Sequence, residues 1–63
     1  MLVKFATVNQ STGDQSAWEE VCTLDYLIDP EDSEYSSARN ELERHGRYWL
    51  GGGAAPLILV MRA

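Results

Sequence analysis

The sequence contains a single cysteine, Cys22, and a single histidine, His45, among its 63 residues. One thiol closes no internal disulfide, and no set of four Cys/His ligands exists for a structural zinc, so both common staples of very small domains are excluded. No apolar run approaches the roughly 20 residues of a membrane-spanning helix; the longest is Leu57 to Met61. No basic segment followed by an apolar signal core opens the chain, which therefore reads as soluble and cytoplasmic, with no membrane partner. Lys and Arg are missing altogether between Lys4 and Arg39, which leaves no basic stripe for phosphates and argues against direct nucleic-acid binding. A chain of this length buries only about 60% of the surface its unfolded form exposes. One compact domain over residues 1–63 is expected, held by packing, with no room for a large substrate cavity.

What fills the basic gap is acid. Asp14, Glu19, Glu20, Asp25, Asp29, Glu31, Asp32 and Glu34 all fall within it, while the rest of the chain sets Lys4, Arg39, Arg44, Arg47 and Arg62 against Glu41 and Glu43, for a net charge of −5. Such a surface attracts basic partners by electrostatic steering, and it also keeps a small protein soluble.

Residues 2 to 8 alternate Leu2, Lys4, Ala6 and Val8 with Val3, Phe5 and Thr7, the pattern of a strand. Asn9 to Gln15 supplies turn residues. Ser16 followed by Glu19 has the form of a capping box, predicting a helix from about Ala17 to Ile28 with Ala17, Val21, Leu24 and Ile28 on its buried face. A strand through Val21 to Ile28, with Cys22, Leu24, Tyr26 and Ile28 on one face, is the competing reading. Asp29-Pro30-Glu31-Asp32 reads as a second helix start, and that helix runs to His45 with Tyr35, Ala38 and Leu42 buried and Gly46 as its C-terminal cap. Arg47 to Leu50 and Leu57 to Arg62 read as strands joined by a Gly/Pro hairpin loop. The expected whole is α+β: a small antiparallel sheet of about three strands with two helices packed on one face, and with Phe5, Val21, Leu24, Leu42, Ile58 and Val60 in the core.

Three familiar chemistries fit poorly. Cys22 and His45 carry no local signature of nucleophilic catalysis, and a small core thiol and a helix-end imidazole explain them more simply. Gly51-Gly52-Gly53 is followed by neither Lys-Ser nor Lys-Thr and leads into a strand, so it reads as a hairpin tip rather than a phosphate loop. Asp29, Glu31, Asp32 and Glu34 lack the glycine and the twelve-residue alternation of a calcium loop. No cofactor, no metal and no catalytic residue is expected. The remaining candidate is the acidic face itself, formed by Glu19, Glu20, Asp25, Asp29, Glu31, Asp32 and Glu34, with Trp18, Tyr26 and Tyr35 as aromatic anchors. One helical turn separates side chains by about 5–6 Å, on the scale of neighbouring phosphates, which rise about 3.4 Å per charge along one strand with added lateral displacement.

In its size, its acidic stretch from Asp14 to Glu34 and its start at Met1, the chain resembles the small acidic proteins of bacteriophages and mobile elements that act as anti-CRISPR proteins. The likeness lies in size and charge over the whole chain and includes no shared motif, so it implies a class rather than residue roles. It implies a non-enzymatic inhibitor in the cytoplasm of a bacterial host. The partner it implies is a basic nucleic-acid-binding complex, a type I CRISPR surveillance complex, engaged through a DNA-mimicking surface. An antitoxin-like protein that neutralises a basic toxin, or a structural subunit held by Leu57 to Met61 adding to another sheet, are the alternatives.

Overall fold

A computed structural model describes all 63 residues. The elements are β1 (Leu2–Val8), β2 (Cys22–Thr23), α1 (Leu24–Leu27), α2 (Ser33–His45), β3 (Arg47–Gly51) and β4 (Leu57–Arg62). The four strands form one antiparallel sheet in the order β2-β1-β4-β3. This is the expected α+β architecture, with a two-residue strand added at one edge.

Strand alternation divides the sheet into two unlike faces. Val3, Val60 and the partly buried Phe5, Ile58, Tyr48 and Leu50 point to the helices, where they meet Leu24, Ile28, Ala38 and Leu42. On the opposite face, the register sets Ala6 beside Leu59 and Trp49, and Lys4 beside Met61 and Arg47. No helix covers this second face. β4 is apolar on both faces, with Ile58 and Val60 toward the helices and Leu57, Leu59 and Met61 half-buried on the other side, which makes up the unbroken apolar run Leu57 to Met61. It is hydrogen-bonded to β1 on one side and β3 on the other, so the notion of Leu57 to Met61 as an exposed edge strand is corrected.

α2 is delimited by its caps. Asp32 accepts the Glu34 N–H at 2.9 Å, and Gly46, at φ 79°, ends the helix in the left-handed region with its N–H bonded to the Leu42 carbonyl. The start is three residues later than expected. Asp29 to Asp32 instead form a turn in which the Asp29 carboxylate accepts the Glu31 N–H at 2.9 Å and the Asp29 carbonyl accepts the Asp32 N–H. Proline at position 30 disfavours helical backbone at Asp29 and so separates α1 from α2.

The helix expected over 17–28 is largely replaced. Only Leu24–Leu27 is helical, while 15–23 returns along β1. The Ser16 hydroxyl accepts the Thr7 N–H rather than capping a helix, and the N–H groups of Ser16 and Glu19 donate to the Thr7 and Phe5 carbonyls at 2.9 and 2.8 Å. Those β1 groups need partners, and the returning chain provides them with the same atoms a helix start would have left free. Between the Val8–Gln15 bridge and the Val3–Cys22 pair β1 advances five residues and the returning segment seven. The two extra residues make the irregular stretch that carries Trp18 to Val21. Val21, expected in the core, is 56% exposed.

Candidate functional site

The acidic candidates run in chain order from the segment beside β1 through α1 and the turn between the helices to the start of α2. Glu19 and Glu20 leave the irregular stretch beside β1 and border a shallow groove floored by Phe5, Val21, Cys22 and Tyr26. Tyr26 is 77% exposed and stands next to Asp25 in α1. The Asp25 carboxylate accepts the Tyr35 hydroxyl at 2.6 Å, which ties α1 to α2. Asp29, Glu31 and Asp32 occupy the turn between the helices, and Glu34 in the first turn of α2 accepts the Tyr48 hydroxyl at 2.9 Å, tying α2 to β3.

These bonds sort the seven candidates into two sets. Asp25, Asp29, Asp32 and Glu34 accept intramolecular hydrogen bonds, so their positions are fixed by the fold. Glu19, Glu20 and Glu31 are exposed and accept no hydrogen bond from another residue's side chain or backbone through their carboxylates. None of the eight carboxylates from Asp14 to Glu34 lies within 4.0 Å of a cationic group. The one ion pair between permanently charged groups is Arg39 with Glu43 at 3.2 Å, and His45 lies 3.8 Å from Glu41, a pair only when the imidazole is protonated; both are one turn apart on α2. The Glu43 hydrogen bond and charge raise the affinity of Arg39 for its proton. The Arg39–Glu43 pair thus compensates charge locally on α2, whereas the carboxylates before Arg39 are left uncompensated.

Both bonded tyrosines hold their protons more tightly than a free phenol. The hydrogen bond to Asp25 raises the Tyr35 pKa, with partial desolvation and the Asp25 charge adding to it. For Tyr48 burial is the main cause, followed by the bond to Glu34. The phenols thus remain neutral donors to carboxylates over the ordinary pH range.

The three aromatic anchors are dispersed. Tyr26 lies exposed on the acidic side, and Tyr35 is half-buried against the core. Trp18 lies with its ring centroid 4.7 Å from Lys4 Nζ. Lys4 alternates with Val3 and Phe5 and so leaves the sheet on its bare face, which draws Trp18 to that side. The cation–π contact is a pairing that sequence separation concealed.

Cys22 and His45 stand at opposite edges, because β1 and β4 lie between β2 and β3. Asp29, Glu31, Asp32 and Glu34 do not converge, and no group of three or more His, Cys, Asp or Glu side chains is placed to hold a metal ion. Gly51 ends β3, and Gly52 and Gly53 open the β3–β4 hairpin loop, held to the 9–14 loop by Gln10, whose Nε2 donates to the Gly53 and Ala55 carbonyls at 3.3 and 3.2 Å. No helix is long and apolar enough to cross a membrane. Compared with protein-family models, curated proteins and solved structures, the chain matches none of them.

Proposed function

We propose that the protein is a non-enzymatic inhibitor that occupies a basic, DNA-binding groove of a nucleic-acid-processing complex in the bacterial cytoplasm. The partner is the one its anti-CRISPR resemblance implies, a type I CRISPR surveillance complex. One observation carries the reading: eight carboxylates from Asp14 to Glu34 remain without a cationic partner, while Glu43 is paired with Arg39 and Glu41 stands beside His45. Carboxylates on two helix starts and the turn between them offer a Lys/Arg-lined groove a row of acceptors in place of phosphates. Tyr26, solvent-exposed in that row, is the aromatic group free to anchor the contact.

The fold also sharpens the test. Asp32 caps α2 and Glu34 holds Tyr48, so reversing them would damage the scaffold as well as the surface. Glu20→Lys with Glu31→Lys reverses two residues that support nothing within the chain. Glu41→Lys with Glu43→Lys changes the net charge equally and removes only exposed ion pairs, which contribute little. In competition with target DNA for the purified complex, the first double variant should lose roughly tenfold or more in potency, equivalent to about 1.4 kcal/mol. The second should lose only the part due to long-range steering. Equal losses would reduce the acidic stretch to a solvated surface.

A further inference from the structure

The two edges of the sheet are finished differently. On the β1 side the returning chain engages most of the outward groups from Met1 to Thr7, the Phe5 N–H excepted. Thr7 bonds Ser16 through both its N–H and its carbonyl, the Phe5 carbonyl takes the Glu19 N–H, Val3 pairs with Cys22, and the Met1 carbonyl takes the Leu24 N–H at 3.0 Å. On the other side β3 has no neighbour beyond β4.

Hydrogen-bond phase identifies which β3 groups are free. The Arg62 N–H donates to the Gly46 carbonyl at 3.1 Å, so Gly46–Arg62 is a bonded pair of the ladder that β3 and β4 continue. Bonded and non-bonded pairs alternate in antiparallel sheets. Tyr48–Val60 and Leu50–Ile58 are then bonded, and the N–H and C=O groups of Arg47 and Trp49 point away from β4. Nothing in the fold covers them. α2 lies over the face of the sheet, and an open hollow lined by Glu41, His45, Arg47, Tyr48, Trp49 and Met61 runs beside the strand. Edges left in this state are ordinarily blunted by charged side chains, proline or a bulge; β3 contains no proline, and its one charged residue, Arg47, stands at its first position, leaving the centre of the strand at Trp49 without one.

We propose that β3 pairs with β3 of a second copy, antiparallel about a two-fold axis through Trp49, to give a continuous eight-stranded sheet. The strand is self-complementary in this register. Trp49 faces Trp49 of the second copy and exchanges two N–H···O bonds with it, and Arg47 faces Gly51, so no like charges meet. The bare face becomes continuous across the junction. Trp49, 47% exposed in the single chain, then lies beside its own copy with Leu59 and Ala6 behind each ring. Glu19, Glu20 and Asp25 remain with β2 and α1 at the far edges, which separates the two acidic stretches and leaves both free.

The proposal stands independently of the inhibitor reading, and salt separates them. Screening the repulsion between two acidic chains strengthens self-association, whereas it weakens binding of an acidic face to a basic groove. Sedimentation velocity from micromolar to millimolar concentration should show mass doubling, shifted to lower concentration as salt is raised. Trp49→Pro removes one outward N–H at an edge position that tolerates proline, and should leave a monomer with native circular dichroism. Trp49→Lys places two ammonium groups together and gives the same loss by a route that keeps the backbone donor. In the unaltered chain, hydrogen exchange at the Trp49 amide should slow as concentration rises, while the Tyr48 amide is protected throughout. A monomer at every concentration and salt level overturns the proposal. So does mass doubling that persists in both variants, or a dimer whose Trp49 amide stays unprotected.

Discussion

Tyr48 does two things at once: its ring packs against the core and its hydroxyl holds Glu34 at the start of α2. Burial and the carboxylate together raise its pKa above the ordinary phenol value of about 10. Because the folded value is the higher one, the contribution of this phenol to stability is fully present below the unfolded pKa and is lost as pH rises through the folded pKa. Tyr35 shifts in the same direction through its bond to Asp25. Urea melts at a series of alkaline pH values should therefore show stability falling above about pH 10. Tyr48→Phe should flatten that fall in part, leaving the share due to Tyr35, and should lower stability at neutral pH by about 1 kcal/mol for the lost hydrogen bond. An unchanged alkaline slope in the Phe variant would show that the Glu34 contact does not govern the titration.

At the level of elements, the β3–β4 hairpin depends on one position. Gly51 has φ 78°, and a Cβ there would lie 2.2 Å from the Pro56 carbonyl oxygen. Gly13 in the 9–14 loop has nearly the same φ, 79°, with nothing within 4 Å of its would-be Cβ. Both Ala substitutions incur the left-handed backbone cost of about 1–2 kcal/mol. Only Gly51→Ala adds a clash with backbone that cannot turn aside. Thermal melts should rank Gly51→Ala well below Gly13→Ala, and equal melting temperatures would mean that the hairpin relaxes around the new methyl group. The clash falls where β4 begins its pairing with both neighbours, so the effect should extend beyond the loop.

For the whole molecule, the net charge of −5 is unevenly placed. Eight carboxylates without cationic partners repel one another, and the principal-axis extents of 31 × 22 × 20 Å give them little distance over which to spread. A long axis of 31 Å also limits any duplex imitation to about one turn of DNA, near 34 Å. Self-repulsion of this kind is screened by salt. At concentrations where sedimentation gives a monomer, moderate salt should raise the melting temperature by a few degrees, since about 1 kcal/mol shifts a domain of this size by roughly 4–8 °C. Glu20→Lys with Glu31→Lys should reduce that salt response. A melting temperature indifferent to salt in the unaltered chain would mean that repulsion in the acidic stretch is negligible.

The α+β class, β1, the body and C-terminal end of α2, the β3–β4 hairpin and the burial of Leu24, Leu42 and Val60 were legible from sequence. Each rests on interactions between near neighbours in the chain: alternation, helical periodicity, a cap glycine, a turn. The local signals place the cap of α2 at Asp29, whereas Asp29 forms a turn of its own and Asp32 caps a helix that begins at Ser33. Residues 15–23 were decided elsewhere. Ser16 and Glu19 satisfy the local rule for a capping box, but the unpaired groups of Thr7 and Phe5 compete for the same atoms, and no local pattern reveals that competition. Nor does the sequence reveal that Asp25 reaches Tyr35, that Glu34 reaches Tyr48, that Lys4 lies over Trp18, or that β4 is central and β3 the open edge. The sequence by itself determined which segments favour helix or strand and where charge is left uncompensated along the chain. Which segment takes up the free backbone of another depends on strand order, and strand order is set by pairing β4 on both of its edges while its Ile58 and Val60 side packs under the helices, a condition met only when the whole chain is assembled.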